Sequence, residues 1–283
     1  MKVLVSGGKG QLASCIEREW ESARQEELIL ASSSDLDFYD VDSLSDYLSS
    51  NQITHLVHTS AYTAVDLAED EPDLARKVNV NQTRSVAEAC ARSSVFMIHI
   101  STDFVYGGPG ETPRKIEDAS PESVYGLTKL DSEKAVLESG VSHLIIRTSW
   151  LYSSIGRNFY LTMNRLLGEG KALRVVNDQH GTPTSAFSLA RFIIEFIRSK
   201  DGFGLGTKTT MNFSNEGSTT WYGFALAIRE MNGLPGTVAP CTSEEYPQKA
   251  KRPTYSVMDL SVLCGTGWEN VTWEEALREV AGK

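Results

Sequence analysis

Residues 123–129 read SVYGLTK, and they put Tyr125 and Lys129 four positions apart. No other tyrosine in the chain has a lysine four positions after it. On a helix, residues i and i+4 share a face, with Cβ atoms ~5–6 Å apart. A lysine ammonium beside a phenol favours the phenolate, and a cationic nicotinamide ring would do the same. A free phenol titrates near pH 10, and moving it ~2–3 units takes roughly 3–4 kcal/mol. The pair therefore suits proton donation to a carbonyl while a cofactor delivers hydride. Two common residues also reach this spacing by chance, so the pair needs support from its surroundings.

That support begins upstream. MIHISTDFVYG ends an apolar run at Ser101 and then presents Thr102 and Asp103. In open α/β sheets ligands bind beyond the carboxyl ends of the strands, which places the Thr102 hydroxyl within reach of a substrate carbonyl. The plainer reading of Thr102-Asp103 is a loop cap. At the N-terminus, VLVSGGKGQLA sets Gly7, Gly10 and Ala13 as G-x-x-G-x-x-A between an apolar run and an amphipathic stretch. Gly7 permits a tight turn, Gly10 lets backbone approach a pyrophosphate, and a small residue at 13 lets helix pack on strand. The helix start then offers unpaired N–H groups to phosphate. A ribose-binding acid is expected at the end of the second run. There the chain reads ASSSD: Ser32, Ser33 and Ser34 suit a 2′-phosphate, Asp35 suits a free hydroxyl, and no Arg is at hand. NADH and NADPH both stay open.

These residues need a scaffold. Short β-branched runs lie at 2–6, 27–32, 54–60, 95–101, 143–149 and 173–177. Amphipathic stretches separate them, at 11–24, 41–50, 70–93, 125–139, 158–168 and 185–199. Near-continuous apolar strands alternating with helices predict a Rossmann-like α/β fold, a doubly wound parallel sheet. After about residue 200 the rhythm loosens into KDGFGLGTKT and NGLPGTVAP, loops rich in turn formers. The expected division is a dinucleotide-binding domain over 1–150 and a smaller, mainly substrate-binding region over 151–283. A segment near 173–200 returns to the first part.

Bulk properties exclude several classes. The 283 residues carry a formal net charge of −10, which argues against wrapping nucleic acid. Cys15, Cys90, Cys241 and Cys264 are scattered, with no C-x-x-C, so no zinc site or disulfide framework is expected. No apolar run reaches membrane-spanning length and MKVLVSGGKG does not read as a signal peptide, so a cytoplasmic protein is expected.

G-x-x-G-x-x-A, STDFVYG and Y-G-x-T-K together resemble the extended short-chain dehydrogenase/reductase family, which acts largely on nucleotide sugars. The resemblance implies a catalytic set of Thr102, Tyr125 and Lys129, with Lys129 also on the nicotinamide ribose. It implies cofactor contacts from Gly7, Gly10, Gln11 and Leu12, an adenine-contacting pair in Asp40 and Val41, and a proton relay supported by Asn79. SAYTAVDLAEDEP (60–72), RTSWLYSSIGRNF (147–159), VVNDQHGTPT (175–184), STTWYGFA (218–225) and KRPTYSVMDL (251–260) look like the dTDP-4-dehydrorhamnose reductase branch. This likeness runs from Lys2 to about Leu260. It implies NADPH- or NADH-dependent reduction of a dTDP-sugar 4-ketone. Ser60, Ala61 and Tyr62 would lie on the cofactor. Thr63, Val65, Asp66, Thr102, Asp103, Trp150, Asn158 and Arg252 would line the substrate side. An Arg suits a pyrophosphate and a Trp gives a sugar ring a flat wall. Some relatives bind Mg²⁺ between subunits through a Glu where this chain has Phe187. An apolar ring cannot ligate Mg²⁺, so no metal is expected, and a homodimer is left open. Two other readings stand beside this one. One is a regulatory subunit like the beta subunit of methionine adenosyltransferase. The other is a different nucleotide-sugar reductase, epimerase or dehydratase, although a dehydratase would want a second carboxylate where Phe104 follows Asp103.

Overall fold

The computed structural model describes residues 1–20, 26–108 and 110–282. Its centre is a six-stranded sheet. In chain order the strands are β1 (Lys2–Ser6), β2 (Glu27–Ala31), β3 (His55–His58), β4 (Phe96–Thr102), β5 (His143–Thr148) and an edge strand, Lys208–Phe213. Their spatial order is Lys208–Phe213, β5, β4, β3, β1, β2, and every pairing is parallel. The first five are the apolar runs read from sequence. The sixth is not the run at 173–177. That run becomes Ala172–Val176, which pairs instead with Thr237–Cys241 in a separate two-stranded sheet. Thr-Thr-Met-Asn-Phe is less apolar than Leu-Arg-Val-Val, yet it takes the sheet edge, where one side needs no partner strand.

The order reverses at β1, between β2 on one side and β3 on the other, and such a switch point opens a crevice at the strands' carboxyl ends. Gly7 closes β1 there. Its φ is +71°, and a Cβ would stand 3.0 Å from the Ser60 amide nitrogen and the Thr59 hydroxyl. A side chain at 7 would therefore be strained and would wedge the β1 and β3 loops apart. Helix α1 (Gln11–Glu19) follows at once, with Gly10 as N-cap and no side chain capping its amides. The amphipathic stretch 11–24 thus holds a helix to Glu19; residues 21–24 lie outside the described residues.

Helices cover both faces. Beneath one face lie α1 and Ala186–Arg198, the latter burying Phe187, Leu189, Phe192, Ile193 and Phe196. Phe192 is ringed by Phe203, Phe213 and Trp268. Truncating such a buried ring to Ala costs roughly 3–5 kcal/mol. On the other face, α2 (Val41–Ser50), Gln82–Arg92 and Val124–Ser139 contribute Leu44, Leu48, Val86, Cys90 and Val136. Residue 150 is therefore not a clean boundary, because Ala186–Arg198 and Lys208–Phe213 complete the core and sheet of the first part. Among the described residues, no helix is long and apolar enough to cross a membrane.

Candidate active site

A cleft of about 800 Å³ opens over the carboxyl ends of β1, β3 and β4. Its cofactor-side wall is Gly7, Gly10, Gln11 and Leu12 from the first turn, with Ser60 and Ala61 after β3. Its floor is Thr102, Asp103, Tyr125 and Lys129, and Thr63, Val65 and Trp150 stand on the far side. The sequence-predicted residues from five separate segments thus meet in one crevice.

The dyad rides on Val124–Ser139, begun by Ser123, whose side chain accepts the Gly126 amide at 3.1 Å. Gly126 is essential to the docking of this helix: a Cβ there would lie 2.2 Å from the Phe104 carbonyl oxygen. Both dyad residues are buried, Tyr125 at 8% exposure and Lys129 at 2%. Lys129 Nζ donates to the Ile100 carbonyl at 2.8 Å, which leaves two further donors. Burial pushes Lys129 down to about 8, against an opposing pull from the Glu133 carboxylate.

Tyr125 departs from expectation. Burial pushes its phenol up to about 12, a hydrogen bond with Thr102 works the other way, and the Asp103 charge adds to the rise. With Lys129 donating to the Ile100 carbonyl, burial is the largest influence on the phenol. Near neutral pH the phenol is therefore protonated, the form a proton donor needs. Thr102 takes the Phe104 amide at 3.2 Å and donates to Asp103 at 3.2 Å. Asp103, 3% exposed, also accepts from Ser256 at 2.7 Å, and burial pushes its carboxyl up to about 6. The loop-cap reading of Thr102 is thus true, and it coexists with a place on the cleft floor.

Several nominated residues sit elsewhere. Asp40 spends its carboxylate capping α2 through the Asp42 and Ser43 amides, and neither it nor Val41 lines the cleft, whose apolar end there is Phe38. Asn79 lies in a π-helical turn, Lys77–Asn81. Such turns often mark functional sites. Its side chain accepts the Tyr62 amide at 2.8 Å and donates to Thr128 at 3.0 Å, so it staples the helix to the loop and to the dyad helix rather than reaching Lys129. Tyr62 points away, donating to Glu71 at 2.7 Å. Asn158 caps Phe159–Gly168 and donates to Gln11 at 2.8 Å, tying the far wall to the glycine turn. Asp66 and Arg252 are occupied with each other, bonded twice at 3.0 and 2.7 Å. Phe187, at the position where a metal ligand was looked for, is fully buried beneath the Arg18 guanidinium, 5.6 Å from its ring.

Sequence reading missed several lining residues, Lys9, Arg157 and Trp221 among them. Lys9 and Arg157 are exposed cations beside the glycine turn. Trp221 stacks on Trp150 at 3.7 Å between ring centroids. Trp150 adopts φ +46°, a left-handed conformation unusual for a bulky residue, to make that stack. Trp221 also walls a second cavity of about 290 Å³ with Phe159, Arg174, Gln179, Gln248 and Arg252. Arg157 and Trp221 lay inside stretches already quoted; the signal available was a cation or an aromatic beside an otherwise recognised segment.

The cleft fits a dinucleotide. The close-packed Gly7, the uncapped α1 N-terminus and two cations form an anion-binding rim at the switch point. Comparison with known proteins agrees, since the family described as "RmlD substrate binding domain" matches residues 1–283. The chain belongs to the RmlD family. This RmlD-family chain is 35% identical to the Bacillus subtilis spore coat polysaccharide biosynthesis protein SpsK, over 98% of its own length and 96% of the relative's. A crystal structure of a Clostridium acetobutylicum dTDP-4-dehydrorhamnose reductase superposes with a TM-score of 0.91 at 34% identity, covering 100% of this chain and 99% of that one. A Bacillus anthracis dTDP-4-dehydrorhamnose reductase in complex with NADP gives a TM-score of 0.91 at 31% identity, covering 99% and 98%. Within the RmlD family, then, the fold over the whole chain is that of nicotinamide-cofactor reductases.

Proposed function

We propose that this protein reduces the 4-keto group of dTDP-4-dehydro-L-rhamnose to give dTDP-L-rhamnose, with NADPH or NADH as cofactor. The observation that carries the reading is the buried Tyr125, with Lys129 one helical turn on and Thr102 beside it, on the floor of a dinucleotide cleft. Bound in that cleft, the nicotinamide cofactor supplies hydride to the sugar's C4. Tyr125 donates its phenolic proton to the carbonyl oxygen, and Thr102 orients that oxygen by hydrogen bonding. Lys129, anchored on Ile100, keeps two ammonium donors for the ribose and stabilises the phenolate left behind. Gly7, Gly10, Gln11 and Leu12 hold the pyrophosphate side, with Ser60 and Ala61 against the ring. Thr63, Val65, Asp103 and the Trp150–Trp221 stack shape the sugar side. Asp66, Arg252, Asn79, Tyr62 and Asn158 act in this scheme by holding loops in place. Solved reductases at 31% and 34% identity support the catalytic reading over a regulatory subunit. A place in the extended short-chain dehydrogenase/reductase family and a cytoplasmic location belong to the same proposal.

The test is direct. The protein is mixed with dTDP-4-dehydro-L-rhamnose and either NADPH or NADH, and the loss of reduced-cofactor absorbance is followed. Stoichiometric oxidation with formation of dTDP-rhamnose is expected. Absence of oxidation with both cofactors at micromolar protein sinks the reading.

A further inference from the structure

The dyad helix carries a third buried polar residue in register. Tyr125, Lys129 and Glu133 follow at i, i+4 and i+8, one face of Val124–Ser139, and all three are buried. That face lies along the last residues of β4. Tyr125 meets Thr102, Lys129 bonds the Ile100 carbonyl, and Glu133 accepts from the Ser101 hydroxyl. Ser101 lines the cleft; Glu133 does not.

Behind Glu133 stands Arg147 of β5. It donates through Nε at 3.0 Å and Nη2 at 2.7 Å, and both side chains are only 4% exposed. Arg147 is itself fixed from the far side, by the Tyr106 hydroxyl at 3.0 Å and the Ile116 carbonyl at 2.8 Å. Tyr106 in turn donates to Asn212 on the edge strand at 2.7 Å. A buried ion pair is costly to form, and a hydrophobic replacement of similar volume is often as stable. Stability alone is thus a weak reason for this pair beneath a reaction centre.

We propose that Glu133 is a positioning residue for the reaction. Its carboxylate, clamped by Arg147, registers the dyad helix on the end of β4 and supplies the negative charge that faces Lys129. The groups around Lys129 leave Glu133 as its counter-charge. His58 of β3 and His99 of β4 face it but are held neutral by burial, His58 pushed down to about 3 and His99 well below its ordinary value. Asp103 stands on the Tyr125 side, where its charge acts on the phenol, whereas the carboxylate that acts on Lys129 is Glu133. Glu133 acts against the burial that lowers Lys129.

This inference rests on the reductase reading for its consequence, but its first readout needs no substrate. Protein labelled with ¹³C-lysine is titrated by NMR without cofactor, and the Lys129 resonance is assigned by its loss in Lys129→Arg. In the wild type it is expected to titrate near 8. Glu133→Gln should lower that midpoint by roughly one unit, the size of one close charge. Glu133→Asp, which keeps the charge, should restore most of it. Should the single neutral variant not fold around an unpaired Arg147, Glu133→Gln/Arg147→Gln is compared with Arg147→Gln, so that the Glu133 charge is the one difference read at Lys129. With substrate, the limb of kcat that follows Lys129 should move to lower pH in Glu133→Gln, and kcat should fall more than KM rises. A Lys129 midpoint unchanged in the folded neutral variant overturns the proposal. A wild type that oxidises no cofactor with the sugar overturns the reductase reading and leaves the NMR result standing.

Discussion

The floor of the cleft and its far wall are built in opposite ways. The floor takes its chemistry from two short stretches, the end of β4 through Asp103 and the first turns of Val124–Ser139, which hydrogen bonds from Lys129 to Ile100 and from Ser101 to Glu133 hold together. The far wall is gathered from residues near 63–66, 150–158 and 221, with Arg252 beyond it, and its members are spaced by loops. The floor can hold a proton donor to within a fraction of an ångström because few rotatable bonds separate its groups. The wall can differ in residue type while the floor stays the same. In the proposed scheme, carbonyl chemistry belongs to the first region and the choice of sugar to the second.

Substitutions in each region separate the two roles. Tyr125→Phe should produce the largest change, a fall in kcat of about 10²–10⁴, with NADPH affinity unchanged by calorimetry. Loss of cofactor binding would show that the phenol is structural, and the floor would lose its special place. Trp221→Ala removes the stack on Trp150, and roughly a tenfold rise in KM for the sugar nucleotide is expected, at about 1.4 kcal/mol per decade. Its kcat should change less. An equal fall in kcat would mean that the wall also aligns the reacting carbonyl.

A smaller effect concerns pH. The folded Asp103 carboxyl is raised from an ordinary 3.8 to about 6. Between those values the folded state binds more protons than the unfolded state, so stability contributed at Asp103 is full below about pH 4 and is lost as pH rises through 6. Asp103→Asn should flatten that part of a denaturation-versus-pH curve, and an unaltered slope would contradict the burial assignment. The mildest change is expected for Arg157→Ala, an exposed cation at the rim. A several-fold loss of NADPH affinity that shrinks at high salt should be visible by fluorescence titration, since exposed charges are screened.

Legibility followed the same division. The placing of Gly7, Gly10, Thr102, Tyr125 and Lys129 on one cleft was readable because it depends on local backbone geometry, which a strand–turn–helix pattern displays directly. Asp40 and Asn158 are found capping helices, a use that their sequence context did not separate from ligand contact, because capping uses the same atoms that a ligand would. The Asp66–Arg252 pair was invisible, since 186 positions separate partners that each suit a ligand when seen alone. Trp221 escaped for a related reason: only its stack on a strained Trp150 turns one aromatic among five tryptophans into part of a wall.

The sequence by itself determined the parallel sheet, the glycine turn at its switch point and the spacing of Tyr125 and Lys129, because hydrophobic periodicity and helical repeat act over a few residues. Tertiary structure alone decided that Lys208–Phe213 rather than Ala172–Val176 completes the sheet. It also decided that Tyr125 is buried beside Thr102 and that Glu133 pairs with Arg147. Each of those outcomes depends on burial and on charges brought together across long stretches of chain, and neither desolvation nor a distant partner leaves a mark in local order.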